Sequence, residues 1–150
     1  MKKKGFSMVE LIVVIVIMGI LSLISVPSFR GLFTKGRLEE SRNSVFGFYQ
    51  AVQRYATTSG VDYILEVDET NRTLRCMKDL PTTVVKDSLR LSDMLSLSHA
   101  GAGSLKFTLG ADGFVEDNDN IRRFTIYDSD AKDSLVFYIS PLGIMEVIRK

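Results

Sequence analysis

The sequence predicts an α+β protein in which a long N-terminal helix packs on a C-terminal antiparallel β-sheet or β-sandwich head. Two observations lead to this prediction. An apolar run from Phe6 to Val26 is followed by apolar residues at helical spacing as far as Ala56. Beyond Gly60 the period changes, and apolar and polar residues alternate as they do in half-buried strands. The change of period therefore places the border between helix and head near Gly60.

The apolar run Phe6–Val26 has the length of a membrane-spanning helix. Its 21 residues would extend ~30 Å as a helix, which is about the thickness of a bilayer core. Lysines at positions 2–4 precede the run, so the positive-inside rule leaves the N-terminus in the cytoplasm. A cleaved secretory signal is the alternative, but the segment Ser25–Ser28 lacks the small-residue pattern that its cleavage site needs.

Glu10 is the only charged residue in this apolar run. A carboxylate on a lipid-facing helix is costly unless a cation neutralises it, so a plain membrane anchor leaves Glu10 unexplained. Two interpretations stay open at this point. Either Glu10 pairs with a cation from outside the run, or its side chain reaches the polar edge of the membrane.

The order Gly5-Phe6, then Ser7–Leu11, then an aliphatic helix closely resembles the class III leader of type IV pilins and type II secretion pseudopilins. The resemblance implies that a prepilin peptidase cuts after Gly5 and methylates the new N-terminal Phe6. It also matches Glu10 and Pro27 to the family's glutamate and proline. In a staggered filament, Glu10 of one subunit would pair with the Phe6 amine of its neighbour. Gly5 and Phe6 are thus expected processing residues, and Phe6, Glu10 and Pro27 expected assembly residues.

This resemblance divides the chain into a leader and three further segments. The expected bounds are 1–5 for the removed leader, 6–27 for the transmembrane and assembly helix, 28–60 for its amphipathic continuation and 61–150 for a periplasmic β-rich head. Apolar residues at helical spacing in the amphipathic part are Phe29, Leu32, Phe33, Val45, Tyr49, Val52 and Ala56. The family's long bent helix fits this pattern, with its lower half projecting and its upper half packed on the head. Ser59-Gly60 is the predicted end of the helix.

Alternating residues predict six strands in the head. They are Tyr63–Val67, Thr73–Met77, Leu105–Leu109, Arg123–Tyr127, Leu135–Ile139 and Ile144–Ile148. Glu69–Arg72 and Pro141–Gly143 have the composition of turns. Asp87–Ser98 fits either a short helix or a strand with a loop. Gly101–Ser104 lacks the Gly-Lys-Ser/Thr of a phosphate loop, so we interpret it as a linker.

The head carries a second resemblance. The segments Ala51–Ala56, Phe107–Gly113 and Leu135–Val147 are similar to the GspH/FimT group of minor pseudopilins. The resemblance implies a β-sandwich-like pair of sheets whose last hairpin turns around a glycine, here Gly143. Many major pilins close a C-terminal loop with a disulfide, which a chain with one cysteine cannot form. The sequence therefore looks more like a pseudopilin or minor pilin than a major pilin.

Charge and composition argue against a general nucleic-acid surface. From Ser28 onward the chain has 16 lysines and arginines against 17 aspartates and glutamates. The only close basic pairs in the head are Arg122-Arg123 and Arg149-Lys150, which we interpret as a solvated strand edge and tail. If these pairs came together they would form a local DNA-binding patch, which is the alternative interpretation.

The residue types needed for catalysis or metal binding are scarce. The single histidine, His99, is expected in an exposed loop, and the single cysteine, Cys76, as a small buried hydrophobe. No Gly-x-Ser-x-Gly elbow accompanies them, so we predict no enzyme and no cofactor. The oxygen-rich segments Asp117–Asn120 and Asp128–Asp130 suit calcium by composition. They lack the spacing of an EF-hand, so we interpret them as loops, with calcium in the head as the alternative.

The predicted function is a non-enzymatic minor pilin or pseudopilin subunit, made as a single-pass inner-membrane precursor with its head in the periplasm. The expected partners are a prepilin peptidase, other pilins or pseudopilins in a filament, an inner-membrane assembly platform and, before assembly, membrane lipid; nucleic acid is not expected. A DNA-binding minor pilin used in DNA uptake and a membrane-anchored periplasmic enzyme are the alternatives. The sequence leaves three machines open: type II secretion, a type IV pilus or a competence pilus.

Overall fold

The computed structural model describes residues 7–78, 84–101, 104–116, 123–128 and 133–150, without the side chains of 24–34. The chain divides into two compact units, Met1–Gly36 and Arg37–Lys150. One α-helix, α1, has the bounds Met8–Ser59 and contributes residues to both units. Pro27 lies within these bounds, and the side chains of Pro27, Phe29, Leu32 and Phe33 are outside the described part.

Helix α1 ends where the sequence predicts. Its last residue is Ser59, and Gly60 follows with a φ of +63°, a left-handed conformation that glycine adopts without strain. The Gly60 N–H donates to the Ala56 carbonyl at 3.0 Å. The predicted apolar face is confirmed too, because its four members in the second unit are all at most 2% exposed: Val45, Tyr49, Val52 and Ala56.

Nine antiparallel strands form two sheets in the described part of the head. In chain order they are β1 Tyr63–Asp68, β2 Thr73–Lys78, β3 Val84–Arg90, β4 Leu95–His99, β5 Leu105–Leu109, β6 Val115–Glu116, β7 Arg123–Asp128, β8 Ser134–Ile139 and β9 Met145–Arg149. One sheet has the order β3-β2-β1-β5-β6 and the other has the order β4-β7-β8-β9. The predicted α+β class is confirmed.

The two sheets and the helix share one hydrophobic core. Alternate residues of each central strand are buried, such as Leu65 in β1 and Phe137 in β8. The rings of Phe124 and Phe137 stack with centroids 4.9 Å apart, which adds to the area they bury. Helix residues such as Val52 belong to the same cluster as these strand residues. The alternation of apolar and polar residues predicted the strands correctly because each sheet buries only one of its faces.

Two segments of the head differ from the prediction. The ambiguous stretch Asp87–Ser98 contains no helix; it holds the end of β3 and most of β4, joined by a short turn. Strand β6 was not predicted, because two residues are too few to show a period. It exists because it pairs with β5, where Leu109 lies opposite Val115.

Two glycine turns meet beside the helix. Gly113, between β5 and β6, has a φ of +85°, and Gly143, between β8 and β9, has a φ of +74°. The Val115 N–H donates to the Pro141 carbonyl at 3.0 Å, which joins one turn to the other across the two sheets. The Tyr49 hydroxyl donates to the Gly143 carbonyl at 3.0 Å. Burial raises the pKa of Tyr49 to about 12, so its hydroxyl stays a neutral donor at physiological pH.

Candidate functional site

The start of helix α1 is closed by a reciprocal pair of hydrogen bonds. Glu10 Oε2 accepts from the backbone N–H of Ser7 at 2.9 Å, and Ser7 Oγ accepts from the N–H of Val9 at 3.3 Å. This arrangement is a capping box, which satisfies backbone donors that a helix N-terminus leaves unpaired. The local pattern Ser7-x-x-Glu10 before an apolar run is the sequence signature of this box. The box was not among the sequence predictions, which considered Glu10 only as a charge.

The helix beyond this cap exposes apolar side chains in every direction. Leu11–Met18 are eight consecutive apolar residues, which is more than two helical turns, so they cover the whole circumference. In the first unit taken by itself these residues are between 46% and 65% exposed. A helix that is apolar all round is normally buried by other protein or by lipid. The described helix is therefore an incomplete structure that needs a partner surface.

The structure describes only some of the residues on which the membrane and processing predictions depend. No helical stretch within the described residues has the length and apolar character that crossing a membrane requires. Gly5 and Phe6 lie outside the described residues, and so does the Pro27 side chain. Of the four predicted site residues, Glu10 alone has a described side chain.

His99 is not the exposed loop histidine that the sequence suggested. It is the last residue of β4, and its side chain is only 4% exposed. Glu69, in the turn between β1 and β2, accepts a hydrogen bond from the His99 backbone N–H and lies within hydrogen-bond distance of Nδ1 through the same oxygen. The prediction was wrong because the partner of His99 is 30 residues away in sequence and belongs to the other sheet.

The calcium alternative gains no support from the described carboxylates. Asp128 is fully buried in β7, and its Oδ2 accepts from the Arg37 guanidinium at 2.9 Å. A carboxylate held in this way is already neutralised by a charge-assisted bond. Asp117–Asn120 and the residues 129–130 lie outside the described part. Among the described residues, no three His, Cys, Asp or Glu side chains could together hold a metal ion.

Arg149 is held by carboxylates rather than free to contact phosphate. Its Nε donates to both carboxylate oxygens of Asp133, at 3.0 and 3.1 Å, and its Nη1 lies 3.6 Å from Glu39. The hydrogen bonds to Asp133, with the charges of Asp133 and Glu39, raise the pKa of Arg149. Arg122, the other basic residue paired with Arg123 in sequence, is outside the described residues. Arg149 therefore gives no support to the alternative of a DNA-binding patch.

Cys76 is a buried core residue, as predicted. It is fully buried in β2, and burial, with a smaller contribution from Asp87, raises its thiol pKa to about 11. The thiolate is the reactive form of cysteine. We expect that at pH 7 a thiol reagent such as DTNB leaves Cys76 unmodified in the folded chain and modifies it fully in denaturant. Rapid modification without denaturant would contradict this placement.

The raised pKa of Cys76 also predicts a loss of stability in alkali. The unfolded thiol loses its proton near pH 9 while the folded thiol keeps it, so the free energy of unfolding falls as pH rises from about 9 to about 11. The loss reaches up to ~3 kcal/mol, since each pKa unit is worth ~1.4 kcal/mol. Denaturant titrations at pH 8, 9 and 10 measure it. In Cys76→Ala the decrease between pH 8 and 10 should largely vanish, because the unfolded Tyr49 phenol begins to lose its proton only near pH 10; an unchanged decrease would contradict the assignment.

Comparisons with known proteins find similarity in sequence, including a motif at the start of the chain. A family model described as the prokaryotic N-terminal methylation motif matches residues 1–26. The fimbrial protein EcpC of Eikenella corrodens is 36% identical over 59 residues, which is 39% of this chain. The match also spans 39% of EcpC, well under half of that relative's length.

The fold is similar to that of a solved minor pseudopilin. Two structures of EpsH from the type II secretion system of Vibrio cholerae match with a TM-score of 0.58. They cover 75% and 76% of this chain and 96% and 97% of theirs, at 16% and 14% identity. At this identity the likeness concerns the fold alone. Together the comparisons show a methylation motif at the start of the chain and a fold similar to that of EpsH.

Proposed function

We propose that this chain is a minor subunit of a pilin-like filament, cut between Gly5 and Phe6 and incorporated through its apolar helix. The observation that carries the proposal is the capped helix whose segment Leu11–Met18 is apolar on every side, within a methylation motif. In the precursor this helix lies in the inner membrane with the head in the periplasm. In the filament, helices of neighbouring subunits replace lipid around it.

The capping box supports an assembly role for Glu10, because it holds the carboxylate at the helix N-terminus. Its carboxylate lies against the backbone N–H of Ser7, the residue that follows Phe6. Cleavage after Gly5 would turn the Phe6 nitrogen into a cationic amine. A neighbour's amine brought to the same helix end would then meet a carboxylate already oriented towards it. The pair selects the register of the subunits, because an unpaired charge in an apolar filament core is costly.

A secretion pseudopilus is the machine that we favour over a fimbria. Support comes from the EpsH-like fold, which extends over three quarters of this chain. The matched relative EcpC is fimbrial, but the match covers only 39% of it. A prepilin peptidase and an inner-membrane platform are the partners that such a subunit requires.

The mass of the mature chain tests the processing step. We expect the protein purified from its own host to begin at Phe6 and to carry one added methyl group on the N-terminal nitrogen. Intact-mass and N-terminal peptide mass spectrometry measure both features. The variant Gly5→Val is the control and should remain as the full-length precursor, because the peptidase of this class needs a glycine before the cut. A mature chain that begins elsewhere than Phe6 would overturn the proposal.

A further inference from the structure

The outer faces of the two sheets of the head differ in how completely their charges are paired. On the outer face of the five-stranded sheet, Arg75 lies 3.8 Å from Glu66 and 3.2 Å from Asp68. Glu66 also forms an ion pair with Lys106 at 3.4 Å and accepts a hydrogen bond from the Ser104 hydroxyl at 2.9 Å. These charges satisfy one another, so this part of the face offers a partner little that water does not already supply.

The outer face of the four-stranded sheet instead exposes an apolar stripe. Tyr127, Tyr138 and Ile148 are 39%, 43% and 54% exposed. Val136 lies opposite Ile148 on β9 and opposite Thr125 on β7, which connects the stripe across three strands. Neighbouring side chains on one face of a sheet lie within contact distance, so these residues form one surface. We call Tyr127, Val136, Tyr138 and Ile148 the apolar stripe.

Two cations border this stripe. A depression of about 340 Å³ lies beside Val136 and Thr125, and Arg123 and Lys150 line it. Ser98, His99 and Ala100 complete the lining. Neither Arg123 nor Lys150 forms an ion pair with any described residue, whereas Arg149, next to Lys150 in the chain, is held by Asp133. The depression therefore combines available positive charge with an apolar margin.

We propose that the apolar stripe, with Arg123 and Lys150, binds a segment of another subunit of the same filament. The segment presents a carboxylate to the two cations and apolar side chains to the stripe. This proposal rests on the proposed function, since it takes the partner from the filament. Tyrosine and arginine side chains are enriched at the centre of protein interfaces.

A second copy of this chain and a nucleic acid fit the surface less well. Most carboxylates of the described head already accept hydrogen bonds or ion pairs within the chain, among them Glu39, Glu66, Asp93 and Asp133. Glu146, exposed on β9 opposite Tyr138, lies on this same face, so a second copy offers one carboxylate here to two cations. Affinity for DNA comes from several phosphate contacts, and two cations beside an apolar stripe supply few of these.

Site-specific photocrosslinking tests the proposal in the protein's own host, with the full chain and the other filament subunits present. Tyr138→p-benzoylphenylalanine places the probe in the stripe. We expect a crosslink to another filament subunit, at a peptide with Asp or Glu within a few residues. Adding Arg123→Glu and Lys150→Glu should lower its yield roughly tenfold. Lys106→p-benzoylphenylalanine, on the other sheet's outer face, is the matched control and should give no such crosslink.

Four outcomes overturn the proposal: no crosslink from position 138, a crosslink to a second copy of this chain, a crosslink to nucleic acid or lipid, or a yield that the charge reversals leave unchanged. The N-terminal mass and the presence of the chain in the filament fraction are measured in the same sample. A chain that begins at Phe6 and enters the filament without the crosslink refutes the docking surface alone. A chain that begins elsewhere refutes the proposed function and this inference with it.

Discussion

Gly143→Ala is expected to lower the free energy of unfolding of the head by ~3 kcal/mol or more. Gly143 has a φ of +74°, a conformation that costs an L-residue about 1–2 kcal/mol. A Cβ at this position would overlap the Gly113 carbonyl oxygen and lie 2.8 Å from Gln53 Nε2. Forcing atoms into such a space costs about 1–3 kcal/mol more. The Gly143 carbonyl also accepts from Tyr49 and Gln53, and a shifted turn would weaken both bonds.

Gly60→Ala is the matched control for this substitution. Gly60 also has a positive φ, +63°, but a Cβ there would meet nothing within 4 Å. It therefore carries the conformational cost without the steric one, about 1–2 kcal/mol. Thermal unfolding of the full chain in detergent, followed by near-UV circular dichroism, compares the two. Equal losses of Tm in both variants would show that the close meeting of the two turns contributes nothing.

The strands and the helix end were predictable because their signals are local. In β1 and β8 every second residue is buried, so apolar and polar residues alternate along the sequence of each strand. Gly60 stops the helix through its own conformational freedom, which depends on no distant residue. Both patterns can be recognised without knowledge of the tertiary structure.

The contacts that join the two sheets could not be read in the same way. His99 lies two residues before Gly101 in a stretch of small and polar residues, which is the composition of a loop. Its burial depends on Glu69, which the chain brings to it from a hairpin of the other sheet. Strand β6 likewise exists only through its pairing with β5. Such features follow from the topology of the folded chain and produce no periodic pattern in the sequence.

The candidate functional residues also divide into those that a local sequence pattern indicates and those that only the fold brings together. The Glu10 carboxylate was singled out from composition, and its cap to Ser7 is a local pattern that the sequence does contain. The cations of the four-stranded sheet come together from Arg123 and Lys150, 27 residues apart in the chain. Only the pairing of β7 with β8, and of β8 with β9, brings them to one depression.

Substitutions at Glu10 and Ser7 are expected to separate the cap from the charge pair. Glu10→Gln keeps a side-chain oxygen that can accept from the Ser7 N–H but removes the negative charge. If the carboxylate pairs with the Phe6 amine of a neighbour, both Glu10→Gln and Glu10→Ala leave a cation unpaired in an apolar surrounding. That loss costs about 3–5 kcal/mol, which corresponds to a fall of roughly 100-fold or more in subunit incorporation.

Ser7→Ala is the control that removes the hydroxyl half of the cap and leaves the charge of Glu10 in place. Loss of such a cap costs about 1 kcal/mol, so incorporation should fall less than roughly tenfold. Quantitative immunoblots of the filament fraction against the membrane fraction measure all three variants. If Glu10→Gln enters the filament as well as the unaltered chain, the carboxylate acts as a helix cap alone. Register in the filament would then have to come from the apolar surface of Leu11–Met18, whose side chains face all directions and select no single register by themselves.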